Sequence, residues 1–279
     1  MSKSRIEWCQ AVYNPVVGCS HISDGCLNCY AEKMHKRLQA MGLEKYSEPF
    51  SVVRFCIHHL NIPSKTKKPT VFFVNSMSDL FHEDLKKQYL FDIFREMVDN
   101  PQHIFLILTK RPENIPIWKN EKPYQWEYYK RESYWTDNIW LGVTIESSKY
   151  LHRAETLQKI PAKHKFISFE PLIGSPLIPG VSVLNSNYYK VDWIIVGGET
   201  GINARVLQPA YVSVLRDFTE YENIPFFFKQ WGGKEKNAFL GGKEYKQFPA
   251  EIAKLMEGKN SRVNSSRKMQ NLPGNLHQD

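Results

Sequence analysis

Long apolar runs are absent from this sequence. No stretch of its 279 residues approaches the roughly 20 consecutive apolar residues that cross a bilayer. The first eight residues, MSKSRIEW, also lack the apolar core of a secretory signal. We therefore expect a soluble, cytoplasmic protein without a membrane partner.

Cysteine is scarce, with five residues in the whole chain. An odd number of cysteines in a chain without a secretory signal argues against a disulfide framework. Three of the five nevertheless fall within one short stretch, at Cys19, Cys26 and Cys29, in C-x6-C-x2-C spacing. This density is typical of a metal site, because neighbouring thiolates bind soft centres such as zinc and iron-sulfur clusters.

The cysteine spacing leaves the kind of metal centre open. A [4Fe-4S] cluster held by Cys19, Cys26 and Cys29 would keep one iron free for a cofactor or substrate. A structural zinc site normally closes with four protein ligands. Either His21 or Cys9 could supply the fourth ligand. An iron-sulfur cluster and zinc are thus both compatible with the sequence.

Acidic residues are outnumbered, 29 against 37 lysines and arginines, for a formal net charge of +8. This balance favours an anionic partner, of which nucleic acid is the commonest. In residues 112–137, helical periodicity is lost and aromatic side chains alternate with cations. Such a segment suits stacked bases and phosphates, although its rings could equally pack on the outside of the domain.

The hydrophobic pattern predicts repeated strand-helix units. Uninterrupted apolar runs alternate with helical patterns or loops, and strands that are apolar on both faces belong to a parallel sheet covered on both sides. The predicted strands are 11–17, 70–74, 103–108, 139–143, 165–169, 192–196 and 225–228. We expect a single α/β domain over residues 1–257, a partial or complete (β/α) TIM-like barrel, with a doubly wound sheet as the main alternative. Residues 258–279 are polar and are expected to form a flexible tail.

Polar residues follow almost every predicted strand. In a (β/α) barrel these positions meet at one end, where active sites lie. They include Asn75, Ser76, Asp79, Lys110, Arg111, Glu146, Glu170, Glu199, Lys229 and Gln230. A carboxylate just beyond a buried strand is costly unless it is paired or functional, so ion pairing and catalysis both remain open for the three glutamates.

Ten short blocks of the sequence, in order, resemble the phage Gp37/Gp68 family (DUF5131). They are IEW at 6–8, YNPVVGC at 13–19, GCLNCYAE at 25–32, SMSDLF at 76–81, LTKRP at 108–112, LGVT at 141–144, SFEPL at 168–172, GGE at 197–199, FFKQWG at 227–232 and LGGKEYKQFP at 240–249. That family is in turn similar to radical S-adenosylmethionine (SAM) enzymes, whose partial barrels hold a [4Fe-4S] cluster on three cysteines after the first strand.

The resemblance implies roles for particular residues. Cys19, Cys26 and Cys29 would be the cluster ligands. The implied SAM-binding residues are Ser76, Asp79, Gly197, Gly198 and Glu199. From their charge and their positions after predicted strands, Lys110, Arg111, Glu170 and Lys229 are the candidate catalytic residues around an anionic substrate. The chain differs from the usual radical-SAM pattern in its longer first cysteine gap and in the late position of its Gly-Gly-Glu.

Three functions follow as expectations. The first is a radical-SAM-like iron-sulfur enzyme that modifies or repairs an anionic substrate such as a nucleic acid or nucleotide. The second is a zinc-stabilised barrel that binds nucleic acid without catalysis. The third is a cluster-bearing subunit of a complex, since the resemblance also implies the three-Cys-motif partner protein as a neighbour.

Overall fold

The computed structural model describes residues 6–115, 134–178, 189–233 and 237–257. Most of the aromatic and basic segment and all of the predicted tail lie outside these ranges. In the ranges described, no helix is both long and apolar enough to cross a membrane. Tyr134 and Trp135, at the end of the aromatic segment, are buried against Phe94 of a neighbouring helix, so these two rings pack on the domain.

Seven strands form one parallel sheet. In chain order, all eleven strands of the described residues are β1 (Ala11–Tyr13), β2 (Val16–Val17), β3 (Arg54–Phe55), β4 (Val71–Val74), β5 (Ile104–Thr109), β6 (Ile139–Thr144), β7 (His164–Phe169), β8 (Trp193–Gly197), β9 (Phe226–Gln230), β10 (Phe239–Leu240) and β11 (Lys243–Glu244). The large sheet runs β1-β4-β5-β6-β7-β8-β9, while β2 pairs with β3 and β10 with β11.

The strand order decides between the two predicted architectures. Each new strand is added on the same side of the sheet, and every pairing in the large sheet is parallel. A doubly wound sheet reverses direction at a switch point, so that alternative is wrong. Among the described residues β1 and β9 do not pair with each other, and the sheet is therefore a half-barrel, the partial form of the predicted barrel.

The described residues form five α-helices, α1 (Tyr30–Ala40), α2 (Lys87–Val98), α3 (His152–Lys159), α4 (Pro209–Glu222) and α5, residues 250–257. Side chains of α2, α3 and α4 pack on the outer face of the sheet, whereas α5 packs on its inner face. The predicted first strand, 11–17, is broken at Asn14 and Pro15, because proline has no backbone N–H for a sheet ladder. Beyond the break, β2 leaves the main sheet and pairs with β3.

The two faces of the sheet carry separate cores. On the outer face, Phe105 and Ile107 of β5 pack with Phe94 of α2. On the inner face, large side chains form a second cluster with residues from both ends of the chain. Its members include Trp8, Cys9, Leu106, Trp140, Phe166, Trp193, Phe227, Ile252 and Met256. Apolar side chains thus fill the barrel toward the amino ends of the strands, and its polar groups lie at the carboxyl ends.

Candidate metal centre

The first cysteine is positioned by a glycine. Gly18 has φ +88, and a Cβ there would lie 2.1 Å from the carbonyl oxygen of Val52. Only glycine fits this close approach and this left-handed conformation. Beyond it, the backbone N–H of Cys19 donates to the carbonyl of Phe50 at 2.7 Å. The loop after β2 is therefore held against segment 50–52, with the thiol of Cys19 at its start.

The second cysteine ends a short 3-10 turn, Asp24–Cys26. Gly25, in the middle of this turn, lies directly on a buried carboxylate: a Cβ there would be 2.7 Å from Cγ and Oε1 of Glu146. The absence of a side chain lets the loop close over the carboxyl end of β6. Cys26 is buried as a result.

The third cysteine occupies the N-cap position of α1. Burial raises the pKa of the Cys29 thiol, and backbone hydrogen bonds from Glu32 and Ala31 partly oppose this shift. A helix N-terminus favours negative charge, so the position suits a thiolate that a metal has deprotonated.

Two consecutive cations after β5 reach two different sulfurs. Lys110 Nζ lies 3.6 Å from Sγ of Cys26, and Arg111 Nη1 lies 3.6 Å from Sγ of Cys19. Both side chains are largely buried. The sequence predicted these residues at the mouth of the barrel, and the structure places them directly on the cysteine loop.

Each of these cations is fixed by a carboxylate. Glu146 is completely buried and lies 2.7 Å from both Lys110 Nζ and Arg153 Nη1. It also accepts a short hydrogen bond from Ser23 of the cysteine loop. Burial disfavours the charged form of Lys110, but the charges of Glu146 and Cys26 outweigh it and raise the pKa of the amine. Lys110 therefore remains an ammonium between a carboxylate and a sulfur.

Asp79 organises the turn that carries the two cations. Its Oδ1 accepts the hydroxyl of Thr109 at 2.7 Å, and its Oδ2 accepts the backbone N–H of Lys110 at 3.0 Å. Arg111 lies 3.5 Å from the same carboxylate and 2.9 Å from Glu83. Asp79 Oδ1 also accepts the backbone N–H of Phe81 at 3.0 Å. The predicted contact of Asp79 with SAM stays a prediction.

The electrostatic surroundings distinguish the sulfurs. Burial raises the pKa of the Cys19 thiol to about 11; the charge of Asp79 also raises it, and Arg111 acts to lower it. Burial also acts to raise the pKa of Cys26, but Lys110 and the Ser23 hydrogen bond lower it by more, so the net shift is downward. Cys26 is therefore the sulfur most ready to bind a metal, because the thiolate is the ligand.

A second ion pair lies on the inner face of the barrel. Lys229 of β9 donates to Glu170, which follows β7, in a very short contact. Gly197 of β8 leaves room for this pair, since a Cβ there would lie 3.4 Å from Cδ of Glu170. Two residues before Glu170, the buried hydroxyl of Ser168 has no hydrogen-bond partner among the described residues. β7 and β9 thus bring this pair and this hydroxyl to the mouth, in addition to Gln230 at the end of β9.

Glu199 clamps the loop after β8 to the cysteine loop. Its Oε2 accepts the backbone N–H of Arg205 at 2.9 Å and the side-chain amide of Asn28 at 3.0 Å. Arg205 also donates to the carbonyl of Asp24 at 2.9 Å. Burial opposes ionisation, but the hydrogen bonds from Arg205 and Asn28 bring the pKa of Glu199 down to about 2. All three glutamates are thus paired: Glu146 with Lys110 and Arg153, Glu170 with Lys229, and Glu199 with Arg205.

The remaining predicted cofactor-binding residues, Gly198 and Ser76, make structural contacts at the carboxyl ends of the strands. Gly198 allows β8 and β9 to approach, because a Cβ there would lie 1.9 Å from the carbonyl oxygen of Trp231. Ser76 exchanges hydrogen bonds with Asn14 at the β1 edge of the sheet, where its N–H donates at 2.8 Å. A role for either residue in cofactor binding stays a prediction.

The two proposed fourth zinc ligands point elsewhere. Cys9 precedes β1 and is buried in the inner-face core at the amino ends of the strands, whereas the cysteine loop lies at their carboxyl ends. His21 Nε2 hydrogen-bonds Glu32 of α1 at 2.9 Å. Among the described ranges, no three His, Cys, Asp or Glu side chains are gathered around one point that could hold a single metal ion.

A polar cleft of about 410 Å³ opens beside the cysteine loop. Cations dominate its inner wall, and carboxylates lie at its rim. The lining residues are Ile22, Glu83, Lys110, Arg111, Glu113, Asn114, Tyr150, His152 and Arg153. The cations on the cysteine sulfurs are thus also accessible to a small molecule in this cleft.

Sequence reasoning missed three residues of this site. Ser23 and Asn28 lie inside the cysteine loop, where polar residues are expected in any loop. Arg153 lies in α3, seven residues after Glu146, and the only signal for it was the need of a buried carboxylate for a cation. This requirement does not indicate which cation pairs with Glu146.

Comparison with known proteins agrees with the sequence blocks. The family described as "Protein of unknown function (DUF5131)" matches residues 3–279. No curated protein and no solved structure matches the chain. A match over nearly the whole length, including the cysteine loop and every strand of the half-barrel, means that the chain belongs to the DUF5131 family.

Proposed function

We propose that this protein is a radical-SAM-like iron-sulfur enzyme. Cys19, Cys26 and Cys29 would hold a [4Fe-4S] cluster at the mouth of the half-barrel. The cluster would act on SAM, and the substrate would be an anionic molecule, a nucleic acid or a nucleotide.

The observation that carries this proposal is a set of three thiols beside which the described part of the chain supplies no fourth protein ligand. Cys9 is in the core at the other end of the strands, and His21 is bound to Glu32. A structural zinc site needs four protein ligands, whereas a cluster on three cysteines needs an open position for its cofactor. The donor set therefore fits the cluster better than structural zinc.

The three sulfurs have different surroundings in the described residues. One zinc ion needs all its thiolates within about 2.3 Å of a single point. The described thiols do not converge in that way, and each has its own partner: Arg111 for Cys19, Lys110 for Cys26 and the start of α1 for Cys29. In the proposed cluster, each of the three cysteines would bind a different iron.

The charges of the site suit an anionic centre. Thiolates and a cluster carry negative charge, and hydrogen bonds to their sulfurs help to set the reduction potential. Lys110 and Arg111 provide such donors from one turn, and the glutamate and aspartate behind them keep both cations in place. The half-barrel with a cysteine loop after its first strand is also the arrangement expected from the resemblance.

When bound, such a cluster would supply one electron to the sulfonium of SAM. The chain's own residues would position the reactants. Gly197 and Gly198 keep the mouth open and the strands close, and Glu199 fixes the cysteine loop through Asn28. We propose that Ser76, Asp79 and Glu199 line the SAM site. Glu199 would contribute by holding the cysteine loop in place through Asn28.

The substrate class rests on the cations. Lys229 and Glu170 lie on the inner face, while Lys110 and Arg111 reach both the cysteine loop and the neighbouring cleft. The formal charge of +8 favours an anion over the whole surface. We therefore place the reacting part of the substrate between these two pairs, at the carboxyl ends of β5 to β9.

The test is anaerobic purification with iron and sulfide reconstitution, followed by dithionite reduction in the presence of SAM. We expect about four irons per chain and the release of 5′-deoxyadenosine. Cys26→Ala is the loss variant, and Cys56→Ala, which alters a cysteine outside the loop, is the matched control. A colourless protein that binds one zinc and releases no 5′-deoxyadenosine would refute the proposal in favour of the nucleic-acid-binding barrel.

A retained cluster without SAM cleavage would instead indicate a subunit of a complex. The three-Cys-motif partner would then be the first protein to add to the assay. This outcome would keep the metal assignment and remove the enzymatic one, so the two parts of the proposal are tested separately.

A further inference from the structure

Arg153 has hydrogen-bond donors to spare at the wall of the polar cleft. Its side chain is 3% exposed, and its hydrogen bonds to the carbonyl of Thr144 at 2.8 Å and to Glu146 at 2.7 Å both come from Nη1. Nε and Nη2 have no acceptor among the described residues, yet neither is sealed from solvent. Because Arg153 lines the cleft, a ligand there can reach these two nitrogens.

The other two buried cations of the cleft have their donors engaged. The Nε, Nη1 and Nη2 atoms of Arg111 donate to a carboxylate, to a sulfur and to a serine hydroxyl, respectively. The ammonium of Lys110 contacts a carboxylate, a hydroxyl and a sulfur. Both residues therefore add positive charge to the cleft, while Arg153 is the residue that can direct hydrogen bonds at a ligand.

The guanidinium of Arg153 is held in one orientation. Its Cζ lies 4.4 Å from the centroid of the Tyr150 ring, which also lines the cleft. The hydroxyl of Tyr150 accepts the backbone N–H of Asp24 at 2.9 Å, so the ring is itself fixed. Two adjacent N–H donors in a fixed plane match two oxygens of a phosphate or a carboxylate.

The start of α3 lies on the same wall. His152 and Arg153 are the first two residues of this helix, and both line the cleft. The N–H groups of a first helical turn have no partner within the helix, and this end of the helix dipole attracts anions. A guanidinium and a helix N-terminus side by side favour an anion with several acceptor oxygens, which is the chemistry of phosphate.

The rest of the cleft indicates a larger molecule than phosphate itself. Its volume of about 410 Å³ is that of a small-molecule site. The carboxylates of Glu83 and Glu113 line it too, and they accept hydrogen bonds from hydroxyl or amino groups. A polynucleotide would bring a phosphodiester with every nucleotide toward these carboxylates, so a small molecule with a single phosphate suits the cleft better.

We propose that this cleft binds the phosphate monoester of a small hydroxylated molecule, such as a nucleoside monophosphate, through Nε and Nη2 of Arg153. The ligand would lie beside the metal centre, because Lys110 lines the cleft and contacts Cys26. The assignment of this molecule as the substrate rests on the proposed function, whereas its binding requires no metal.

Isothermal titration calorimetry of the full-length chain, before iron and sulfide are added, tests the binding. The probe is adenosine 5′-monophosphate (AMP), and adenosine is the same molecule without the phosphate. We expect AMP to bind at least about tenfold more tightly than adenosine. Inorganic phosphate should compete with AMP, whereas succinate, which carries carboxylates instead, should not compete at the same concentration.

Arg153→Lys keeps a positive charge beside Glu146 and removes the Nε and Nη2 donors. We expect AMP to bind about tenfold more weakly to this variant, because charge-assisted hydrogen bonds are lost. Arg216→Lys is the matched control, since Arg216 lies on α4 and pairs with the adjacent Asp217. Urea unfolding of both variants checks that the fold is retained.

A second variant does not depend on a buried residue. His152 is exposed, so His152→Glu should leave the fold intact while it adds a negative charge to the cleft. It should weaken AMP binding about tenfold as well, because like charges repel. Lys159→Gln lowers the net charge by the same amount at the other end of α3 and should leave the affinity unchanged.

Four results would overturn the inference. Equal affinities for AMP and adenosine, or competition by succinate as strong as that by phosphate, would refute phosphate recognition. Unchanged AMP affinity in His152→Glu and in a folded Arg153→Lys would remove the ligand from the cleft. Single-stranded DNA that binds more tightly than AMP and is weakened by Arg153→Lys would assign the cleft to nucleic acid.

The cleft and the proposed function fail separately. AMP binding in a chain that takes up no iron on reconstitution would refute the iron-sulfur function and retain the phosphate site. Iron uptake and release of 5′-deoxyadenosine without AMP binding would retain the function and refute the site.

Discussion

Gly25 lies directly against the side chain of Glu146, with 2.7 Å between the position of a Gly25 Cβ and Cγ of the glutamate. This contact joins the cysteine loop to the carboxyl end of β6. The buried carboxylate holds Lys110, and Lys110 donates to the sulfur next to the glycine. The position of Cys26 therefore depends on a residue without a side chain.

Gly25→Ala should displace the turn that ends at Cys26. Overpacking of this kind costs about 1–3 kcal/mol, because the methyl group meets a buried charged side chain that is held by three other partners. We expect lower stability in urea unfolding of the metal-free protein and lower iron uptake on reconstitution. Gly197→Ala is the comparison, since its Cβ would be 3.4 Å from Glu170, close to ordinary contact. Equal effects of the two substitutions would contradict this account of Gly25.

The Lys110–Glu146–Arg153 cluster predicts an order of stability losses. Glu146→Gln removes the only carboxylate of the cluster and leaves two buried cations, whereas Lys110→Met leaves the carboxylate paired with Arg153. Breaking a buried pair from one side costs about 3–5 kcal/mol, so Glu146→Gln should reach this range and Lys110→Met should cost less.

Urea unfolding of the metal-free variants checks this order. Lys163→Met is the control, because its pair with Asp137 is exposed to solvent and should contribute little to stability. If Lys110→Met were the more damaging change, the carboxylate would not be the centre of the cluster.

Glu199 predicts a pH dependence of stability. Its folded-state pKa, about 2, lies below the ordinary value of 4.5. The unfolded chain therefore binds a proton more readily than the folded one, and the stabilisation is complete above pH 4.5 and is lost as the pH falls from 4.5 toward 2. Since Arg205 is partly exposed to solvent, we expect a contribution of about 2 kcal/mol.

Urea midpoints at about pH 6 and about pH 3 test this dependence. Glu199→Gln should be the less stable protein at the higher pH, and the difference should shrink at the lower pH. Asp217→Asn changes an exposed carboxylate on α4 and should leave the pH profile unaltered. A constant difference between Glu199→Gln and the unaltered protein would exclude ionisation as the source of the stabilisation.

The sequence predicted the parallel sheet because its strands are buried on both faces. The run at β5, residues 103–108 by pattern and Ile104–Thr109 in the structure, is apolar at nearly every position, as helices outside and large rings inside require. Strand order was the open question, since hydrophobic pattern alone does not distinguish a half-barrel from a doubly wound sheet. Direct sequential pairing, from β1 with β4 to β8 with β9, resolves it.

The site was predictable in its location but not in its pairings. Residues just beyond the strands had to meet at one end, and Lys110, Arg111, Glu170 and Lys229 do so. Which cation holds which carboxylate depends on side-chain reach across the barrel. Arg153 of α3 enters the cluster from a helix, and no spacing in the sequence indicates this.

The last prediction concerns the fourth ligand. If the metal centre has only three protein ligands, Cys9→Ala and His21→Ala should both retain the iron content of the unaltered protein after anaerobic reconstitution, while Cys29→Ala should lose it. Cys9→Ala should still lower stability by about 1 kcal/mol, because the side chain is fully buried beside Trp8. His21→Ala should change stability by less than about 0.5 kcal/mol, since its contact with Glu32 is exposed.

Iron content and urea unfolding are measured on the same preparations. Unchanged iron in the presence of reduced stability shows that Cys9 serves the core and not the metal. Loss of metal in His21→Ala, with the remaining metal identified as zinc, would require the histidine to leave Glu32 and close a four-ligand site. In that case the open position on which the proposed chemistry depends would not exist.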